Sequence, residues 1–226
     1  MKYKKIEIAT WLSLSFGLYC IINAIFCYLF GAPDLRDIQV GAISVDLILF
    51  ILVFYVGYTS FKQFKNKQGF LFYNTLLILI YSLIIFNIVL SRAFGTPMII
   101  MGIGNNIYFA VIFNLIFAAS FLYNGLSLLS QLGNNNTVKM RRFSWKMLLL
   151  AFILLILIII LVVIDLSTRT SGSKSITGRF EAYSPFLEYA QMIIAAFGTI
   201  LFVVGLCMLL MSFLAPILLK NLLKSE

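Results

Sequence analysis

The stretch MLLLAFILLILIIILVVIDL, residues 147–166, decides the class of this molecule. From Leu148 to Ile164 it holds only Leu, Ile, Val, Ala and Phe, with no glycine, serine or asparagine. A helix needs about 20 mostly apolar residues to cross roughly 30 Å of hydrocarbon, and this run supplies them before Asp165 closes it. A barrel strand is the wrong reading. The apolar residues are continuous rather than alternating, and the run is about twice the ~10 residues such a strand needs. Inside lipid every backbone amide must be paired within its own segment or in a closed barrel, so a helix remains.

Five further stretches have comparable length and character: about Ile8–Phe30, Gly41–Phe61, Phe70–Leu90, Ile107–Ser130 and Tyr189–Leu219. With Met147–Leu166 they predict an all-α, polytopic membrane protein of six transmembrane helices. The helices are expected as three hairpins, with residues 1–226 forming a single integral membrane domain. Composition agrees. The 226 residues are 62% hydrophobic and 11% charged, whereas soluble chains carry about 45–50% apolar and about 25% charged residues. Too few charges remain to coat a water-facing surface. A disulfide scaffold, a disordered tail, an α/β enzyme and a nucleic-acid-binding domain are therefore excluded.

The basic residues are distributed unevenly. Lys2, Lys4, Lys5, Lys62, Lys65, Lys67, Lys139, Arg141, Arg142, Lys146, Lys220 and Lys224 fall at one set of helix ends. The opposite ends hold Arg36, Arg92, Arg169, Lys174 and Arg179. Lysine and arginine accumulate on the cytoplasmic side of membrane proteins, so the expected topology in the cell membrane has both termini in the cytoplasm. The net charge of +9 then needs no nucleic acid. Trp11 and Trp145 adjoin basic residues at the same boundary, where an amphipathic indole is expected to sit in the headgroup layer. The first span is expected to be a retained helix, since its apolar part exceeds the ~7–15 residues of a signal peptide and no A-x-A-like site follows.

An internal echo accompanies the hairpins. At an offset of 64 residues, Asn23 and Phe30-Gly31-Ala32-Pro33 align with Asn87 and Phe94-Gly95-Thr96-Pro97. This pattern predicts a parallel repeat of the first two hairpins, related by an axis along the membrane normal. The common use of glycine and proline to end helices accounts for the same motif without duplication. The fifth span, which lacks small and polar residues, is expected at the periphery facing lipid. The sixth, with Ala195, Ala196, Gly198, Gly205 and Ser212, carries a strip suited to close packing, and Ser13 and Gly17 form a similar pair in the first.

Polar residues inside spans are the candidate chemistry, because they are costly there. Asp46 lies about one turn inside the second span and is matched by Arg92 at the end of the third. With Asn23 and Asn87 these residues outline a possible polar or ion path, although span asparagines more often serve as interhelical hydrogen bonds. Asp165 and Glu188 are expected at the outer boundary. Candidate partner contacts are Lys62, Lys65, Lys67, Arg141 and Arg142 in two basic loops, and Met98 and Ile99 in an oddly apolar outer loop. Cys20, Cys27 and Cys207 lack metal or redox spacing and read as packing residues.

Enzyme signatures are missing: the sequence has no Walker motif, no GxSxG, no HExxH and no histidine at all. No catalytic residue, metal site or cofactor is expected. Six spans with cytoplasmic ends are shared by many compact export permeases, a fold-level likeness that does not establish function. The first functional reading is a transport or export subunit, permease or pore, without its own energy source. Its partner is then a cytoplasmic ATPase or further copies of itself in a homo-oligomer. The second is a non-transporting membrane partner, such as an immunity, sensor, defence or assembly factor acting through helix contacts.

Overall fold

In a computed structural model the chain forms six long helices, described over residues 2–30, 40–66, 69–94, 107–133, 135–171 and 185–224. They are α1 (Lys2–Phe30), α2 (Val40–Phe64), α3 (Phe70–Phe94), α4 (Ile107–Leu132), α5 (Asn135–Ser171) and α6 (Pro185–Lys224). All six are long and apolar enough to cross a membrane, and no strand occurs among the described residues. The fold is that of an all-helical, multi-pass membrane protein whose surroundings are a lipid bilayer. Met98, Ile99 and Lys67 lie outside the described residues, as do the side chains of Asp165 and Glu188.

Two tight connections are built on glycines with positive φ. Gly133, at φ 77°, follows α4 and donates its N–H to the Leu129 carbonyl at 3.1 Å. That is the left-handed cap which satisfies an orphan carbonyl and ends a helix, a conformation glycine adopts without a Cβ penalty. Gly69, at φ 118°, precedes α3, and its carbonyl accepts from the Phe72 N–H at 3.1 Å.

The most extensive pairing in the bundle is α1 with α4, followed by α5 with α6 and α2 with α3. Contacts between α3 and α4 and between α1 and α2 complete a ring in the order α1–α4–α3–α2. Outside this ring α6 lies against α1 and α2, and α5 packs mainly on α6. The principal neighbour of α1 is thus α4, not α2, which follows it in the chain. The reason is visible at the crossing. A Cβ on Gly17 would come within 2.6 Å of the Leu122 side chain, and one on Gly125 within 2.7 Å of Leu14. Each helix presents a leucine and, three residues later, a glycine, and the two sets interlock antiparallel. Without a hydrophobic drive between helices in lipid, such close approach supplies the packing. The small-residue pair at Ser13 and Gly17 is used as expected.

Around that crossing lies the core: Leu14, Phe16, Val53, Val56, Ile78, Phe117 and Phe121, extended toward α6 by Val204, Met208 and Met211. Tyr81 stacks on Phe117 with centroids 4.0 Å apart, and Phe113 meets Phe117 edge-on at 4.6 Å. Cys20, Cys27 and Cys207 are buried thiols, and Cys20 belongs to this cluster.

As the all-apolar run requires, α5 is peripheral. Only 6% of its spanning segment is buried, against 50% for α1. Gly205 of α6 fits against Met147 and Leu148, and Gly198 faces Leu154, so the small-residue strip of α6 serves the α5 interface. Two boundaries differ from the sequence reading. The segment Lys139–Lys146, expected as a basic loop, belongs to the first turns of α5. Asn136, Met140 and Ser144 are buried there at helical spacing, giving the segment a face to pack, while Lys139, Arg142 and Lys146 stay exposed. Trp11 also departs from expectation. It is only 6% exposed, packs on Phe143 at 5.4 Å and donates its indole N–H to Asn136 Oδ1 at 3.2 Å. A buried partner for its polar edge takes the place of a headgroup contact. Trp145 is 60% exposed.

Candidate functional site

Polar side chains that bond between the helices of the α1–α4 ring form three groups at successive depths, while the buried Thr10, Ser15, Thr75 and Ser82 bond within their own helices. Nearest the lysine-rich end is a knot centred on Asn124 of α4, which is fully buried. Its Nδ2 donates to Ser13 Oγ of α1 at 3.1 Å and to Ser60 Oγ of α2 at 2.9 Å. Ser13 Oγ in turn donates to the Phe121 carbonyl at 2.8 Å. The other half of the amide, Asn124 Oδ1, is buried with no protein partner. A buried acceptor left unpaired costs about 1–3 kcal/mol, so its persistence calls for a reason. Beside the knot, Asn74 Nδ2 of α3 donates to the Ser120 carbonyl of α4 at 2.9 Å. All four helices of the ring therefore contribute a polar group within about two turns of one another.

Two turns further along α1 the ring is mainly aromatic, with Tyr81 against Phe117 and its hydroxyl in reach of the Cys20 thiol. Beyond it, Asn23 Nδ2 donates to Asn114 Oδ1 at 3.0 Å, while Asn114 Nδ2 donates to the Ala110 carbonyl of its own helix at 2.8 Å. Asn87 is half-buried on α3.

The third group is the pair read from the sequence. Arg92 Nη1 lies 2.8 Å from Asp46 Oδ2, and the two side chains are 11% and 19% exposed. Side chains on a helix lean toward its N-terminus. α2 begins at this end of the bundle and α3 finishes here, so Asp46 leans outward along α2 while Arg92 leans back along α3. The two meet although Arg92 starts nearer the end. Asp46 Oδ2 and Arg92 Nε lack a directional hydrogen bond, which makes the contact an ion pair rather than a fork-to-fork bridge.

Of the sequence-derived site residues, Asp46 and Arg92 are thus brought together, and Asn23 bonds Asn114 of α4. At the lysine-rich end, Lys62 Nζ lies 4.5 Å from the Tyr58 ring centroid and Arg141 Cζ lies 3.9 Å from that of Phe213. Lys65 and Arg142 are exposed, and Lys139 pairs with Glu7 of α1 at 2.7 Å. Sequence reasoning took the span asparagines, Asn124 among them, as interhelical hydrogen bonds but missed Ser60 as a partner and the role of Gly125. One signal was available: Leu14-Ser15-Phe16-Gly17 and Leu122-Tyr123-Asn124-Gly125 share the form L-x-x-G. Among the described residues no three His, Cys, Asp or Glu side chains converge as a metal site would need. No protein family, curated protein or solved structure matches this chain.

Proposed function

We propose that this chain is a transport or export subunit of the cell membrane, a permease or pore component that draws energy from a partner protein. The observation that carries the reading is the series of polar groups inside the α1–α4 ring, from Ser13–Asn124–Ser60 through Asn23–Asn114 to Asp46–Arg92. Polar and ionisable residues within a bundle mark substrate and ion routes more often than they occur by chance, because lipid makes them expensive. The unpaired Asn124 Oδ1 supports it further, since a donor passing along the ring would satisfy that acceptor.

In this reading residues 1–226 act as one membrane domain with both termini in the cytoplasm. Lys62, Lys65, Lys67 and Arg142 at that end face a cytoplasmic ATPase, and Met98 and Ile99 contact a membrane partner on the opposite side. The reading also takes α1–α2 and α3–α4 as parallel repeats. Exchanging α1 with α3 and α2 with α4 carries the α1–α4 pairing onto α3–α2, and the α1–α2 pairing onto α3–α4. That pattern supports a twofold relation without requiring duplication.

The test is flux in liposomes holding the purified protein together with whatever co-elutes from its native membrane. Wild type with a stoichiometric ATPase is expected to move a substrate or ion, and Asp46→Asn or Asn124→Leu to reduce that flux without reducing assembly. Unchanged flux in both variants would sink the polar-path reading. A second reading, a non-transporting immunity, sensor, defence or assembly partner, is favoured by the bare face of α5, which leaves room for another membrane helix. Co-elution of a membrane or effector protein, with no flux, is its signature.

A further inference from the structure

At the lysine-rich end of α5 and α6, Arg141 has an environment that the ring does not explain. Its guanidinium carbon lies 3.9 Å from the centre of the Phe213 ring on α6, and its Nε is buried without a hydrogen-bond partner. A planar guanidinium stacks on an aromatic face while keeping its terminal N–H groups free for oxygen acceptors, an arrangement a lysine cannot copy. Trp145 stands one turn along the same helix face and is 60% exposed. Lys220 lies two turns past Phe213 on the same face of α6 and is exposed. The only acids at this end of the chain are Glu7 and Glu226, and Glu7 is engaged by Lys139.

The depth of this cluster is as informative as its charge. Arg141 precedes the start of the apolar run at Met147 by six residues, roughly 9 Å of helix. It therefore lies at headgroup level, where an exposed indole also belongs. On the hydrocarbon side the cluster continues into exposed apolar surface from Leu149 on α5 and from Leu206 and Leu210 on α6. A cationic edge joined to a bare apolar face matches an amphiphile with a phosphate head and acyl tails. A soluble anion would leave the apolar part uncovered, and an acidic protein would leave it in contact with water or lipid as before.

We propose that Arg141, Trp145 and Lys220 form a binding site for the phosphate of an anionic phospholipid, whose tails lie along α5 and α6. Basic pockets between transmembrane helices are suited to such headgroups. The proposal is independent of what passes through α1–α4 and of which compartment this end faces.

The experiment is native mass spectrometry of the purified full chain titrated with phosphatidylglycerol or phosphatidylcholine. Wild type is expected to retain phosphatidylglycerol about tenfold better, and Arg141→Met, which keeps an apolar stem over Phe213, to lose most of that preference. Lys62→Ala combined with Lys65→Ala is expected to leave it unchanged. Monodispersity and thermal midpoint in detergent identify any variant that has failed to fold, and Lys220→Gln, expected to weaken the preference partially, then replaces Arg141→Met. Retention of the full preference in folded Arg141→Met overturns the site. So does an equal loss in the Lys62/Lys65 variant, which means a diffuse surface charge, or displacement of the lipid by equimolar glycerol phosphate, which means the tails contribute nothing.

Discussion

Helices α1 and α5 cross the same slab of hydrocarbon and are built on opposite principles. Half of the spanning segment of α1 is buried; it meets α4 through glycine, serine and asparagine and also lies against α6 and α2. The corresponding part of α5 is 6% buried, and of its apolar run Ala151 alone is fully enclosed. The difference lies in which forces lipid leaves available. Leucine gains nothing by leaving acyl chains for another leucine, so a helix of pure Leu, Ile and Val has no reason to enter the bundle. A helix with Gly17 and Ser13 gains close van der Waals contact and hydrogen bonds that lipid cannot offer. Hydrophobicity thus sends both helices into the membrane, and small and polar residues decide which one becomes the centre.

This contrast can be broken most sharply at the α1–α4 crossing. Gly17→Ala would drive its methyl into Leu122, 2.6 Å from the side chain and 3.1 Å from the backbone nitrogen. Overpacking of this kind costs about 3 kcal/mol, and a large fall in the thermal midpoint of the detergent-solubilised protein is expected. Gly198→Ala, whose new methyl would meet only Leu154 at 3.6 Å, is the matched change at the α5–α6 interface and should be nearly silent. If both variants melt alike, the division between a knit centre and a loose periphery is wrong.

Next in size is the ion pair that joins α2 to α3. Asp46→Leu leaves Arg92 with a charge and no carboxylate. A fully buried pair broken in this way costs ~3–5 kcal/mol, and the partial exposure here reduces that to about 2 kcal/mol. Asp46→Leu combined with Arg92→Leu should recover much of the loss, and chemical unfolding in mixed micelles measures both. No recovery in the double variant would mean that the pair does not act as a unit.

A smaller effect is expected at the Asn124 knot. Ser13→Ala with Ser60→Ala removes both acceptors of the amide, and interhelical hydrogen bonds in membranes are worth about 0.6–2 kcal/mol each. A loss of about 2 kcal/mol or less in the same unfolding assay is the expected result. The least effect should come from α5: Ile156→Val and Ile159→Val on its exposed face are expected to change stability by under ~0.5 kcal/mol. A large loss there would reveal a protein partner, because lipid does not distinguish the two side chains so strongly.

Much of the architecture was readable from residue type alone. The six spans, the lipid-facing fifth helix, the Ser13–Gly17 approach and the meeting of Asp46 with Arg92 all follow from local composition or from two opposite charges at one depth. The lysine-rich end of α5 was not readable in that way. Residues 139–146 look like a charged loop because lysine and arginine dominate the window. They are helical because Met140, Ser144 and Asn136 form one buried face, with Asn136 bonded to Trp11 of α1. The same contact buries Trp11, which its neighbours in sequence had assigned to the headgroup layer.

By itself, then, the sequence determined that the chain enters a bilayer, how many times it can cross, and where its positive charge accumulates. These are sums over contiguous residues, and transfer into lipid is close to additive along a helix. Only the tertiary structure decided that α1 takes α4 as its main neighbour, that Ser13, Ser60 and Asn124 share one knot, and that Asn23 bonds Asn114. Such choices depend on the shapes of two helix faces at once. A glycine on one helix specifies a partner only when a leucine on another reaches the same depth and the same side.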